Sequence, residues 1–225
     1  MSKYFDEEST IEILRLLKEH YPNAKIKLKF KTPFELLIAT ILSAQCTDDR
    51  VNIVTERLFK KYVTPEDYLK VPVEELERDI FSTGFYKQKA RSIRECCKIL
   101  IEKYNGEIPK DIDELTKIPG VGRKTASVVL GNAFGIPAIA VDTHVKRLSN
   151  LFHFVKEKNP DKIEEQLKKI IPVEEWVITS HRISTHGRVI CQAKNPRCEI
   201  CFLDHICPSA FKIKKKSKND QRRSS

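Results

Sequence analysis

Apolar positions recur along this chain at three- and four-residue intervals, the period of an α-helix. Residues 33–45, PFELLIATILSAQ, are apolar on nearly every side, and Thr32-Pro33 followed by Glu35 marks their start. That pattern predicts a helix at the buried centre of a helical domain. Ser9 and Glu12 form a capping-box pattern ahead of Ile13, Leu14 and Leu17. Thr64-Pro65 opens a short helix, VEELERDIFSTG stops at Gly84, and KQKARSIRECCKILIEKY stops at Asn105-Gly106. Asp111 with Glu114 starts another, halted by Pro119, and RKTASVVLGNAFG runs to about Gly135. Asp142 opens the next, Pro160 begins DKIEEQLKKII, and VEEWVITSHRISTHG runs to Gly187. Only IKLKF (26–30) and PAIAV (137–141) look β-like, and both read as connecting segments. The pattern predicts an all-α fold without internal repeats.

Charge adds a partner class to this picture. Of the formal net charge of +10, +6 sits in the tail KIKKKSKNDQRRSS (212–225), which reads as a disordered, basic segment with non-specific attraction for phosphate. The remainder is mildly basic, compatible with a polyanionic partner without requiring one. No run of 18 apolar residues is present, which predicts no transmembrane helix. The start, MSKYFDEEST, is charged and has no apolar signal core, so a cytoplasmic protein is the expectation.

Seven cysteines are present, and four of them, Cys191, Cys198, Cys201 and Cys207, are separated by six, two and five residues. In a reducing compartment such crowding points to metal ligation rather than disulfides. Zinc and a [4Fe–4S] cluster are the two chemical alternatives for four thiolates. Zinc sites more often pair two CxxC-like knuckles, whereas one CxxC behind a six-residue loop favours the wider cluster. The loop QAKNPR carries Lys194 and Arg197, which would form a phosphate contact if a metal held it rigid. Cys46, Cys96 and Cys97 lie in helical runs and read as packing residues.

In DELTKIPGVGRKTA, one helix ends at Pro119 and another begins after the turn Gly120-Val121-Gly122. Glycines allow a tight, left-handed turn, and the freed amides of the new helix are a site for a phosphate. This is a helix–hairpin–helix, which grips a nucleic-acid strand without reading its sequence. Lys124, beside Arg123, falls in the first turn of the second helix. The helix dipole, desolvation and Arg123 all disfavour its charged form, which favours a nucleophilic neutral amine. Asp142 reads as a helix N-cap, and an acid near such a lysine could accept its proton or stabilise a cationic transition state.

The stretches PFELLIATILSAQCTD (33–48), LTKIPGVGRKTASVVL (115–130) and AVDTHVKRL (140–148), with the six-two-five cysteine spacing, resemble the endonuclease III family of DNA base-excision glycosylases. The resemblance runs from about residue 8 to residue 210. It implies two helical domains flanking a DNA-binding cleft. One is a six-helix domain, 26–136, with the helix–hairpin–helix at about 112–134. The other, 1–25 plus 137–211, holds a [4Fe–4S] cluster on Cys191, Cys198, Cys201 and Cys207. Lys124 falls on the family's catalytic lysine and Asp142 on its catalytic aspartate. Gln45 matches the residue that fills the gap left by a flipped nucleotide, and Phe85 stands in the second wedging loop in place of a leucine. Gly120, Val121, Gly122, Arg123, Lys194 and Arg197 are the further expected DNA contacts.

The implied activity is a bifunctional DNA N-glycosylase and AP lyase acting, as a monomer, on double-stranded DNA that carries an oxidised pyrimidine or an abasic site. The implied location is the cytoplasm, at the nucleoid in a prokaryote. Two alternatives remain at this point: a monofunctional mismatch glycosylase of the same superfamily, and a non-enzymatic iron–sulfur DNA-binding protein. The lysine at 124 favours the lyase, because the adenine- and thymine-mismatch relatives lack it.

Overall fold

Local capping chemistry decides where most helices of this chain begin. The computed structural model describes residues 6–212, so the predicted basic tail, 212–225, lies outside the described residues apart from Lys212. Eleven α-helices follow one another within them: α1 Glu7–His20, α2 Pro33–Leu42, α3 Asp48–Lys61, α4 Pro65–Lys70, α5 Val73–Ile80, α6 Tyr86–Tyr104, α7 Ile112–Thr116, α8 Arg123–Ala133, α9 Thr143–Leu151, α10 Pro160–Ile170 and α11 Trp176–Val189. Short 3-10 turns occur at Phe81–Thr83, Val173–Glu175 and Cys198–Ile200, and no strand is found among the described residues. The all-α expectation holds.

Several expected boundaries move, each for a local reason. Helix α1 starts on Asp6, whose carboxylate accepts from Ser9 N, rather than on Ser9. Asp6 is followed by Glu7 and Glu8, so the first turn is acidic as its dipole prefers. Helix α2 has Thr32 as its N-cap and Pro33 in its first turn, but it ends at Leu42 and not at Gln45. Gln45 adopts a left-handed φ of 52°, which no α-helix accommodates. Cys46 therefore lies in a turn rather than a helical run. Helix α3, capped by Thr47, was not among the predicted elements. Helix α11 continues through Gly187 to Val189. A Cβ at residue 187 would stand 2.8 Å from His144 Nδ1, so this glycine serves close packing of α11 on α9 rather than a helix stop.

The chain divides into two units. The first, Ile26–Ala138, contains α2 to α8. Its centre is α2, in which every residue from Leu36 to Leu42 is buried, and α3, α6 and α8 pack on it. Each such leucine or isoleucine withdrawn from water contributes about 1.5–3 kcal/mol. Thr40, the polar member of that run, donates to Leu36 O and so carries no unpaired hydroxyl. The second unit is built from the residues before Ile26 and after Ala138. Its core joins Ile13 and Leu17 of α1, Val145 and Leu148 of α9, Ile163 and Leu167 of α10, Ile183 of α11, and Leu203. Cys191, Cys201 and Cys207 lie against this core.

Candidate DNA interface and metal centre

The hairpin is shaped by packing within the protein. Ile118 and Val121 are buried, and Val121 N donates to Ile118 O. Gly120 has a φ of 81°, and a Cβ there would lie 2.9 Å from Ser92 Cβ on α6. Only glycine satisfies both the left-handed backbone and that close approach. Gly122 is the N-cap of α8, with open space around the position of a Cβ. No side chain caps this helix, and its first turn holds no acid. The amides of a positive helix end are thus left for an external anion. Lys124 is the second residue of α8 and is exposed. The desolvation expected for its amine is therefore not provided by the hairpin itself.

Two further turns of the same unit present side chains on strained backbone. Gln45 (φ 52°) and Phe85 (φ 49°) are both exposed, Phe85 at 60%. A non-glycine residue in this conformation costs about 1–2 kcal/mol, and such strain clusters at functional sites. With that exposure Phe85 is no core residue. Gly84, also at positive φ, separates the turn Phe81–Thr83 from Phe85, which begins α6 as its N-cap.

Asp142, in the second unit, caps α9 by accepting from Val145 N at 2.7 Å. Its other oxygen accepts from Ser184 Oγ of α11, also at 2.7 Å. Both oxygens are hydrogen-bonded, which fixes the plane of the carboxylate. Burial pushes the nearby His181 imidazole down to about 4, against the opposing pull of Asp142. His144 is likewise lowered by burial, with Asp142 again opposing. Ser184, His144 and His181 were not singled out in the sequence. A serine or histidine on α11 gives no local signal that it lies near an aspartate about 40 residues earlier in the chain, and His144, two residues after Asp142, reads as an ordinary first-turn residue.

The four clustered cysteines line one pocket, together with Leu151, Phe152, Ile190 and Pro196. Burial raises the Cys191 and Cys207 thiols and carries Cys201 to about 11. Two of the sulfurs have polar partners: Arg147 Nη1 donates to Cys191 Sγ at 3.6 Å, and His186 Nε2 lies 3.6 Å from Cys201 Sγ. Arg147 also donates to Cys191 O at 2.5 Å. Tyr21 OH meets the other imidazole nitrogen of His186 at 3.2 Å. Among the described residues, no three histidine, cysteine or acidic side chains converge closely enough to hold a single metal ion. Lys194 and Arg197 are exposed on the intervening loop, and Arg197 Nη2 donates to Val189 O. Cys96 and Cys97 are fully buried, as packing residues are, and burial raises Cys96 to about 12.

A family profile described as "HhH-GPD superfamily base excision DNA repair protein" matches residues 38–173. Endonuclease III of Bacillus subtilis (strain 168) is 50% identical over 197 residues, covering 87% of this chain and 90% of the relative. A solved structure described as a non-covalent endonuclease III–DNA complex is 52% identical, with a TM-score of 0.90 over 92% of this chain and 98% of that one. The same figures apply to a trapped endonuclease III–DNA covalent intermediate. No helix among the described residues is long and apolar enough to cross a membrane. On this identity, spread over nearly the whole chain, the protein belongs to the endonuclease III family of the HhH-GPD base-excision repair superfamily.

Proposed function

We propose that this chain is a base-excision repair enzyme that removes oxidised pyrimidines from double-stranded DNA and then cleaves the abasic site as an AP lyase. The observation that carries the reading is Lys124. It is an exposed amine at the mouth of an uncapped helix, directly after a hairpin that only glycine can form. A solved relative at 52% identity was trapped as a covalent intermediate with DNA.

The hairpin amides of Gly120, Val121 and Gly122, with Arg123, hold the backbone of one strand. The damaged nucleotide flips out of the stack, most cheaply where damage has already weakened its pairing. Gln45 and Phe85 fill the gap it leaves. Neutral Lys124 Nζ attacks C1′ of the deoxyribose, the C1′–base bond breaks, and the base departs with the bonding pair. Asp142, held by Val145 N and Ser184 Oγ, receives the lysine proton and stabilises positive charge on the sugar. The C1′–O4′ bond then breaks and O4′ takes up a proton, which leaves a protonated Schiff base that acidifies the C2′ proton. Its removal expels the 3′ phosphate by β-elimination, and water then frees the lysine.

The endonuclease III family is known to carry a [4Fe–4S] cluster, and the residues of this chain fit one. Four thiols line one pocket, and Arg147 Nη1 and His186 Nε2 each lie 3.6 Å from one of the sulfurs. One CxxC behind a six-residue loop suits that cluster better than a zinc ion. Cys191, Cys198, Cys201 and Cys207 would hold it. When bound, the cluster supplies cross-links rather than hydrolysis, fixing the loop that displays Lys194 and Arg197. The unit Ile26–Ala138 is then the helix–hairpin–helix domain and the other unit the cluster domain. The enzyme acts as a monomer in the cytoplasm.

Borohydride trapping on a duplex with one abasic site tests this reading. Wild type gives a covalent protein–DNA adduct on a denaturing gel, and Lys124→Ala gives none. A folded, cluster-loaded wild type that forms no adduct would sink the lyase mechanism.

A further inference from the structure

Lys89, in the first turn of α6, is only 5% exposed. A lysine so buried is costly unless its N–H groups are satisfied. Its ammonium donates to Leu42 O at 2.7 Å and to Thr83 O at 2.8 Å, two main-chain carbonyls rather than a carboxylate. Burial lowers its pKa, while nearby Cys46 opposes that shift.

The two carbonyls are far apart in sequence but alike in position. Leu42 is the last residue of α2 and Thr83 the last of the 3-10 turn Phe81–Thr83. Gln45 follows Leu42 by three residues, and Phe85 follows Thr83 by two. Both exposed residues sit on left-handed backbone, which persists only where the surroundings enforce it. Helix α2 has no basic residue in its own last turn. Lys89 supplies that cation from a different helix, where it satisfies a terminal carbonyl and complements the dipole. An apolar residue at position 89 would suit packing beside Ala90 and Ile93, both fully buried, better than an ammonium does.

We propose that Lys89 is a positioning residue that ties the Gln45 turn to the Phe85 turn, so that both side chains enter the duplex as one rigid wedge. This rests on the assignment of Gln45 and Phe85 to DNA insertion made above. Lys89 touches neither substrate nor reacting atoms. Its effect is confined to the step in which the gap behind the flipped nucleotide is filled.

The test compares wild type with Lys89→Met on two duplexes under single-turnover conditions. One carries an oxidised pyrimidine opposite adenine; the other carries the same lesion opposite an abasic analogue, where no partner base needs holding apart. Lys89→Met slows excision at least about tenfold on the first and less than about threefold on the second. Lys89→Arg, which keeps N–H donors, recovers part of the loss. An equal fall on both duplexes, or none on either, overturns the proposal. Lys89→Gln takes the same comparison if Lys89→Met does not fold. A second readout is independent of the chemistry: 2-aminopurine opposite an abasic analogue reports insertion by its fluorescence. The variant binds this duplex with affinity within about threefold of wild type but gives less than half the fluorescence change; an unchanged response overturns the proposal. Failure of wild type to form a borohydride adduct would instead remove the lyase reading and leave this fluorescence test standing.

Discussion

The hairpin at 117–124 and the cysteine segment at 191–207, the proposed holders of DNA and of a cluster, are shaped by different means. The hairpin is over-determined by its own packing. Ile118 and Val121 are buried, and Gly120 lies so close to Ser92 that no Cβ fits. The cysteine segment has one fully buried apolar anchor, Leu203, and short turns such as Cys207 N to Leu203 O. Its other contacts are partly polar, with Arg147 Nη1 and His186 Nε2 each 3.6 Å from a cysteine sulfur. On the proposed function, the first is preformed for a ligand that comes and goes, and the second would take its final shape from a resident group.

The sharpest break between them is chemical. Lys124→Ala leaves the hairpin intact, because an exposed side chain contributes nothing to its packing, yet lyase turnover falls by at least about 10³-fold. Circular dichroism and a melting curve match wild type. Residual turnover within tenfold of wild type would place the nucleophile elsewhere. Cys198→Ser acts oppositely. Iron and acid-labile sulfide are lost, and hydrogen exchange accelerates across 191–207 while α2 and α8 keep their protection. Loss of protection in α8 as well would show that the hairpin also depends on the cluster.

Two glycine substitutions separate shape from function inside the hairpin. Gly120→Ala combines a positive φ with a Cβ 2.9 Å from Ser92 Cβ, and costs roughly 2–4 kcal/mol in denaturant unfolding. Removing the opposing Cβ with Ser92→Gly in that background recovers the contact part and leaves the backbone part. Gly122→Ala meets open space at an ordinary φ of −84° and changes stability by less than about 0.5 kcal/mol. It still places a methyl group in front of the helix amides, so DNA affinity weakens about three- to tenfold. Equal destabilisation by the two variants would contradict the packing account.

Legibility in the sequence followed locality. Thr32-Pro33, Thr64-Pro65 and Asp142 are read correctly as helix starts because the cap and its amide lie within three residues. The all-α fold follows from the same short-range patterns. Helix α3 was missed although Thr47, Asp48-Asp49 and Lys60-Lys61 mark both of its ends. Its mean character is polar, and no apolar run draws attention to it. Gly187 was misread because its reason is His144, distant in the chain. Lys89 had no signal at all, since a lysine on an amphipathic helix reads as a solvated one. The hairpin turn and the gathering of the four cysteines were legible because each is compressed into 17 residues or fewer.

Acid distinguishes the two units by a smaller amount. All six histidines lie outside Ile26–Ala138. His181 is held near 4 by burial, well below its ordinary value of 6.5. Between those values the unfolded chain binds a proton that the folded one refuses, so stability rises with pH across this window and falls on acidification. Each unit of pH there is worth about 1.4 kcal/mol, giving a loss of up to about 2 kcal/mol between pH 6.5 and pH 5 from His181 alone. Amide protection factors, measured by mass spectrometry, therefore drop up to about thirtyfold in α9 and α11 over that range, while those of α2 and α8 hold. His181→Asn removes most of its share of the drop. A parallel drop in α2 would mean that the two units open as one cooperative body, and would make the cysteine segment and the hairpin answer to the same equilibrium.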